Sequence, residues 1–383
     1  MDFSLSNEHL MLRESIRKFC EAELTPRARE LDESQEFPFD VLKSAAELGF
    51  VGSYLPEEYG GGGQDLFTKA IIYEEFVRSC FGFNLSLNAS DLLFANNVNK
   101  GGNKEQKKMY LPPVLGGEAL GCWALTEPDS GSDALSIKST CVRDGDHYVL
   151  NGQKTFITNA PVAEYFVVLC REPGTERMKG GTAFILERGM EGLSTGPKFD
   201  KMGGRCSPTG EVFMEDLCVH ESQVLGEPGR AFYQMMDSLD VERSLTPFSS
   251  IGIAQACLDA SIAYATERKQ FGKPIADFQL IKEKIARIAT GVEMARTMAY
   301  KVVWMVEQGM AVTKEAAIIK YYASTMVQRA AHDAIQIHGG YGYMKDYPVE
   351  RYARDARLLE IGAGTTEIQK LIIARELLKD RRA

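Results

Sequence analysis

The chain has 383 residues, 44% of them hydrophobic and 25% charged, which leaves room for two or three domains with substantial cores and argues against a disordered chain. Its 44 basic and 53 acidic side chains give a formal net charge of −9, which disfavours a general binder of nucleic acid or of anionic membranes. No apolar run approaches the ~20 residues that span a bilayer. The N-terminus MDFSLSNEHL lacks the basic and apolar regions of a signal peptide, and the eight cysteines are scattered without a C-x-x-C pair. A cytoplasmic protein with reduced thiols is expected.

Residues 1–120 read as a helical domain. The stretch 7–23 sets Leu10, Leu12, Ile16 and Phe19 on one helical face, 66–80 repeats the pattern, and glycines 60–63 break the chain between them. Residues 121–230 read as β-structure. Short β-prone runs occur at 148–150, 166–169, 182–186 and 211–213, with turn signals at 144–146 and 151–152. No helical pattern separates these strands, so an antiparallel β-domain is expected. Residues 231–383 return to long helical periodicity, broken at 272–274 and 339–348.

Several common sites are missing. There is no G-x-G-x-x-G and no Walker-type loop, so neither a Rossmann site nor a nucleoside triphosphatase has support. No H-E-x-x-H pair occurs, and His332 and His338 do not share a helical face, so no metal site is expected. Residues 192–196 match G-x-S-x-G, but Pro197 follows in a β-rich zone where a nucleophile elbow needs a helix. More specific is Thr126-Glu-Pro-Asp-Ser-Gly-Ser-Asp133. Its hydroxyls and exposed backbone N–H groups suit the edge of a flavin ring or a pyrophosphate. It is accompanied by Phe156-Ile-Thr-Asn159, Glu267-Arg-Lys-Gln-Phe-Gly272, Gln336-Ile-His-Gly-Gly-Tyr-Gly342 and Gly364-Thr-Thr-Glu-Ile-Gln369.

In this order the motifs resemble those of the acyl-CoA dehydrogenases, over essentially the whole chain. The resemblance implies an N-terminal α-helical domain, a middle antiparallel β-domain and a C-terminal four-helix bundle. It also implies noncovalent FAD, an acyl-CoA substrate, an electron-transferring flavoprotein as electron acceptor, and a homotetramer. Carried over by position, Trp123, Leu125, Thr126 and Ser132 line the flavin and the start of the CoA channel. Phe156, Ile157 and Thr158 cover the isoalloxazine; many relatives carry Trp at the position of Phe156. Arg268, Phe271 and Phe278 reach the FAD of a neighbouring subunit, where the guanidinium pairs with the pyrophosphate. Gln336, Gly339 and Gly340 pass close to the adenosine portion, and Thr365 and Glu367 close the same site. Asp240 and Arg243 help hold the CoA tail.

The family chemistry removes a proton with a carboxylate and passes a hydride to the flavin, while a backbone N–H polarises the thioester carbonyl. Most relatives carry the carboxylate directly before the C-terminal Gly-Thr. Here that position is Ala363, before Gly364, so the base lies elsewhere. Two carboxylates compete. Glu242, in Asp240-Val-Glu-Arg243, matches the position used by a minority that includes the isovaleryl type. Asp91, in Asn88-Ala-Ser-Asp-Leu92, lies where relatives form the wall of the acyl pocket. A pocket-wall Asp without an α-carbon base resembles the alicyclic branch, in which cyclohex-1-ene-1-carboxyl-CoA loses a γ-proton and becomes a conjugated diene. Asp91 is favoured as base on this ground. The alternative is ordinary α,β-dehydrogenation of a branched, short or saturated alicyclic acyl-CoA by Glu242. A nucleic-acid-associated role is disfavoured by the charge. A peroxisomal oxidase is disfavoured by length and by a C-terminus with no peroxisomal address.

Overall fold

In the computed structural model, which describes residues 5–379 without the side chains of Asp237 and Asp240, the helical domain begins on a capped turn. The Ser6 hydroxyl accepts from the His9 N–H at 3.1 Å and starts α1 (Asn7–Glu23). α1 buries Ile16, Phe19 and Cys20 but leaves Leu10 half exposed, so its apolar face starts later than the periodicity suggests. After α2 (Ala28–Ser34) and α3 (Phe39–Glu47) the chain enters the predicted glycine break. Gly61 lies so close to the Leu55 backbone that a β-carbon would meet the Leu55 carbonyl oxygen at 2.2 Å. Asp65 then caps α4 (Leu66–Ser79) by accepting from the Thr68 N–H at 2.7 Å. α4 is buried on nearly every side, with Lys69, Glu74 and Glu75 among its buried residues. α5 (Phe81–Leu87) runs into a π-helical segment (Asn88–Ala95), then α6 (Asn96–Gly101) and α7 (Lys104–Leu115).

The β-domain holds β1 (Gly121–Ala124), β2 (Thr140–Asp144), β3 (His147–Thr158), β4 (Tyr165–Arg171), β5 (Gly181–Glu187), β6 (Leu193–Thr195), β7 (Thr209–His220) and β8 (Val224–Leu225). Among the described residues they form one sheet in the order β6-β7-β3-β2-β4-β5-β8, with β1 beside β4. Most pairs are antiparallel, as expected. The exceptions are β1 on β4, which is parallel, and a single parallel contact between Thr140 and Arg171. The predicted turn at 144–146 joins β2 to β3, with Gly145 at φ +63°. The signal at 151–152 lies instead inside β3, at a break in register between Leu150 and Gly152. Gly152 is there because a β-carbon would strike Ser139 Oγ at 2.3 Å. Residues 193–195 are a strand with no helix after them, which disposes of the nucleophile elbow.

The C-terminal domain is built from α8 (Ala231–Glu267), a hairpin of β9 (Lys269–Gln270) and β10 (Lys273–Pro274), then α9 (Gln279–Glu307), α10 (Thr313–His338), α11 (Val349–Ala356) and α12 (Thr366–Lys379). α10 buries Ala316, Ala317, Ala323, Ala330, Ala331 and Ala334, and these small side chains let neighbouring helices approach closely. One core cluster runs from Ala70 and Tyr73 on α4 through Leu245 and Phe248 on α8 to the α9 and α10 helices, so the two helical domains share apolar packing. Among the described residues no helix is long and apolar enough to cross a membrane.

Candidate active site

Helix α8 carries Glu242 into the interior, where only 7% of its surface is exposed. Pro247 has no N–H for the Arg243 carbonyl, and the Thr246 hydroxyl donates to the Glu242 carbonyl at 2.9 Å. Burial pushes the Glu242 carboxyl up to about 7, against the opposing pull of the Arg243 and Lys320 charges. Lys320 comes from α10 and also donates to the Gly364 carbonyl at 2.7 Å. Glu242, Arg243 and the Ala363–Gly364 turn, far apart in sequence, are therefore joined through one lysine. That lysine was missed in the sequence. Its signal was a single cation in phase with the apolar face of a helix, in Ala316-Ala-Ile-Ile-Lys320. The Asp240 side chain lies outside the described residues.

Asp91 is buried too, with none of its side chain exposed, but its surroundings differ. Its Oδ2 forms an ion pair with the Lys69 ammonium, and the Gly52 N–H reaches the same oxygen at 3.3 Å. The Tyr73 hydroxyl stands 3.0 Å from Oδ1 and 2.8 Å from Asn88 Oδ1. Lys69 also lies 4.4 Å from the centre of the Tyr73 ring. Burial lowers the proton affinity of Lys69, and Asp91 offsets that loss. Burial raises that of Tyr73, with the negative charges of Asp91 and Glu242 adding to it, which sets this cluster close to Glu242. The two carboxylates thus differ in their surroundings: Asp91 is ion-paired with Lys69, whereas Glu242 is buried with its carboxyl raised to about 7. Asp91 lies within the π-helical segment and caps no helix.

The polar turn after β1 is organised by a residue the sequence did not single out. Glu127 is 4% exposed, pairs with Lys154 at 2.7 Å, and accepts from the Ser139 N–H at 2.9 Å. The Thr126 carbonyl accepts from the Thr155 N–H at 2.9 Å, so this turn and the 156–158 segment are tied together. Ser132 is exposed, Thr126 half-buried, and Trp123 and Leu125 half-buried on the adjoining core. The Trp123 indole N–H is buried with no partner, a donor left for something outside the chain. A register break between Lys154 and Ile157 turns Phe156 outward at φ +58°, 69% exposed. The same break sends Ile157 into the core, 2% exposed, so only its backbone is presented. Thr158 remains half-buried at the end of β3.

At the far end of the bundle, Arg268, Phe271 and Phe278 meet Gly339 and Gly340 around an open groove of about 1180 Å³. Phe271 is 93% exposed at φ +52°, with its ring edge-on to Phe278 at 6.0 Å. A β-carbon on Gly339 or Gly340 would meet nothing within 4 Å, which leaves the backbone open to a ligand. Gln336 is exposed on the last turn of α10. Thr365 and Glu367 are not part of this groove. They begin α12, where the Thr365 hydroxyl accepts from the Ile368 N–H at 3.3 Å, directly after the Ala363–Gly364 turn. Among the described residues no cluster suits a metal ion.

Family models for the acyl-CoA dehydrogenase N-terminal, middle and C-terminal domains match residues 6–118, 122–217 and 229–378. The probable acyl-CoA dehydrogenase YngJ of Bacillus subtilis is 44% identical over 99% of this chain and 100% of its own. The chain belongs to the acyl-CoA dehydrogenase family. Acyl-CoA dehydrogenases are FAD-dependent oxidoreductases acting on CH–CH bonds. The mitochondrial isovaleryl-CoA dehydrogenase of Solanum tuberosum is 40% identical over 96% of this chain and 90% of its own. The solved butyryl-CoA dehydrogenase of Megasphaera elsdenii superposes with a TM-score of 0.95 at 36% identity, over 99% of this chain and 100% of that one. The family's three-domain architecture is the one seen here.

Proposed function

We propose that this acyl-CoA dehydrogenase carries out α,β-dehydrogenation of a short or branched acyl-CoA, with Glu242 as the proton acceptor. The observation that carries this is the buried Glu242 carboxyl, poised at about 7 and linked through Lys320 to the Ala363–Gly364 turn. The likeness to isovaleryl-CoA dehydrogenase agrees with it. Bound FAD supplies the hydride acceptor. The residues present fit that group: an unpartnered Trp123 N–H, an outward Phe156, and an open groove lined by Arg268 and Gly339. Glu242 takes the α-proton, and the backbone N–H of Ala363 polarises the thioester carbonyl. Thr126, Thr158 and Ser132 orient the ring edge by their hydroxyls and backbone. Electrons would then pass to an electron-transferring flavoprotein, with the enzyme assembled as a homotetramer.

The alicyclic substrate expected from Asp91 is the competing outcome. The test is anaerobic flavin bleaching by butyryl-CoA, isovaleryl-CoA and cyclohex-1-ene-1-carboxyl-CoA. Bleaching by the saturated thioesters is expected. Bleaching by the cyclohexene thioester alone would overturn the proposal.

Two further results are expected. Because Glu242 must be unprotonated to act, the acid limb of kcat/KM should rise with pH through a midpoint near 7. FAD should be released intact by acid precipitation. Arg268→Ala should weaken FAD binding about tenfold or more, the loss of a charge-assisted bond of about 1.5–3 kcal/mol. A variant that is a monomer with full flavin would remove the cross-subunit role of Arg268.

A further inference from the structure

Lys320 is buried in α10 with 1% of its surface exposed, an unusual place for an ammonium group. Its Nζ donates to the Gly364 carbonyl at 2.7 Å. Gln369, wholly buried on α12, donates to the same carbonyl at 3.1 Å and to the Ala363 carbonyl at 3.4 Å. The turn they hold is left-handed at two successive residues, Ala363 at φ +55° and Gly364 at φ +84°. For an alanine that conformation is strained and persists only when its surroundings impose it. Between them Lys320 and Gln369 bind both carbonyls of the turn.

Lys320 does a second thing from the same position. The charged groups that act on it are Glu242 and Arg243 on α8, Glu360 before the turn, and Glu367 on α12. Those that act on Glu242 are Arg243 and Lys320, while Tyr73 on α4 feels the Glu242 charge in turn. Lys320 is thus the one cation on α10 acting on both the turn and the carboxylate.

We infer that Lys320 is a positioning residue of the dehydrogenation: with Gln369 it holds the Ala363–Gly364 turn by its hydrogen bond to the Gly364 carbonyl, and so fixes where the Ala363 N–H is presented. This rests on Glu242 being the base. Burial lowers the Lys320 ammonium to about 8, so its charge is present at neutral pH and is lost in mildly alkaline solution. The rate should then fall again above pH 8, which gives a bell-shaped profile with Glu242 on the acid limb and Lys320 on the alkaline limb.

The test compares pH profiles of kcat/KM for the parent, Lys320→Met, Lys320→Arg and Glu242→Gln holoenzymes. Lys320→Met should lower kcat about tenfold or more with KM little changed, because the turn is no longer held. Its acid limb should move upward by about one pH unit, because the opposing charge is gone. Lys320→Arg keeps the charge and does not titrate, so it should keep the parental acid limb and lose the alkaline one. A residue that merely supports the fold would lower the yield of flavoprotein without moving either limb. If Lys320→Met keeps the parental acid limb and kcat while Glu242→Gln is silent, the inference about Lys320 fails and the base assignment stands. If Lys320→Met does not fold, an unaltered alkaline limb in Lys320→Arg also sinks it. A fully active Glu242→Gln would overturn the base assignment itself.

Discussion

Glu242→Gln is expected to slow flavin reduction by about 10²–10⁴ while leaving thioester binding nearly unchanged, the signature of a lost general base. The same substitution is expected to stabilise the protein at alkaline pH. The Glu242 carboxyl sits at about 7 in the folded chain against an ordinary value of 4.5. Between those values the folded state holds a proton that the unfolded state has released. Stability from this group is therefore fully present below about 4.5 and falls as pH rises through about 7. Across the interval the loss amounts to about 3 kcal/mol, which glutamine does not incur. Denaturant midpoints at pH 8 should thus be higher for the variant than for the parent, with the difference gone near pH 4.5. Loss of activity joined to a gain in stability is what a strained catalytic group gives. Normal turnover by this variant would remove Glu242 from the mechanism.

Asp91→Asn is expected to behave in the opposite way. The side chains of Lys69 and Asp91 are both 0% exposed. Removing the carboxylate leaves an ammonium in the interior without its counter-charge, and breaking a buried pair from one side typically costs about 3–5 kcal/mol. Lys69→Met should be similarly harmful. The double variant Lys69→Met, Asp91→Leu should recover most of the loss, since an apolar pair of similar volume needs no charge compensation. Urea denaturation of the four proteins measures this directly, and activity per bound flavin should survive in whatever fraction folds. An Asp91→Asn enzyme as stable as the parent and unable to reduce its flavin would restore Asp91 as the base, and with it the alicyclic substrate.

The contrast between these two carboxylates shows how far the sequence can be read. The helical and β zones were legible because periodicity of 3.6 or 2 is a local property of the chain. The flavin motifs were legible because each is contiguous. Where local signals failed, a long-range contact had intervened. Asn151-Gly152 carries the composition of a turn, yet it lies in a strand because the Asn151 side chain pairs with Asp216 across the sheet and Gly152 packs on Ser139.

By itself the sequence determined the family, the order of domains, and the absence of a carboxylate at Ala363. It also narrowed the base to Asp91 or Glu242. Only the tertiary structure shows what packs against each of them, because those partners come from distant parts of the chain. Asp91 receives Lys69 from 22 residues earlier, together with the Tyr73 hydroxyl, in a buried ion pair. Glu242 is buried on α8 with its two cations acting through space, Arg243 beside it and Lys320 from α10, and so retains the basicity that proton abstraction requires.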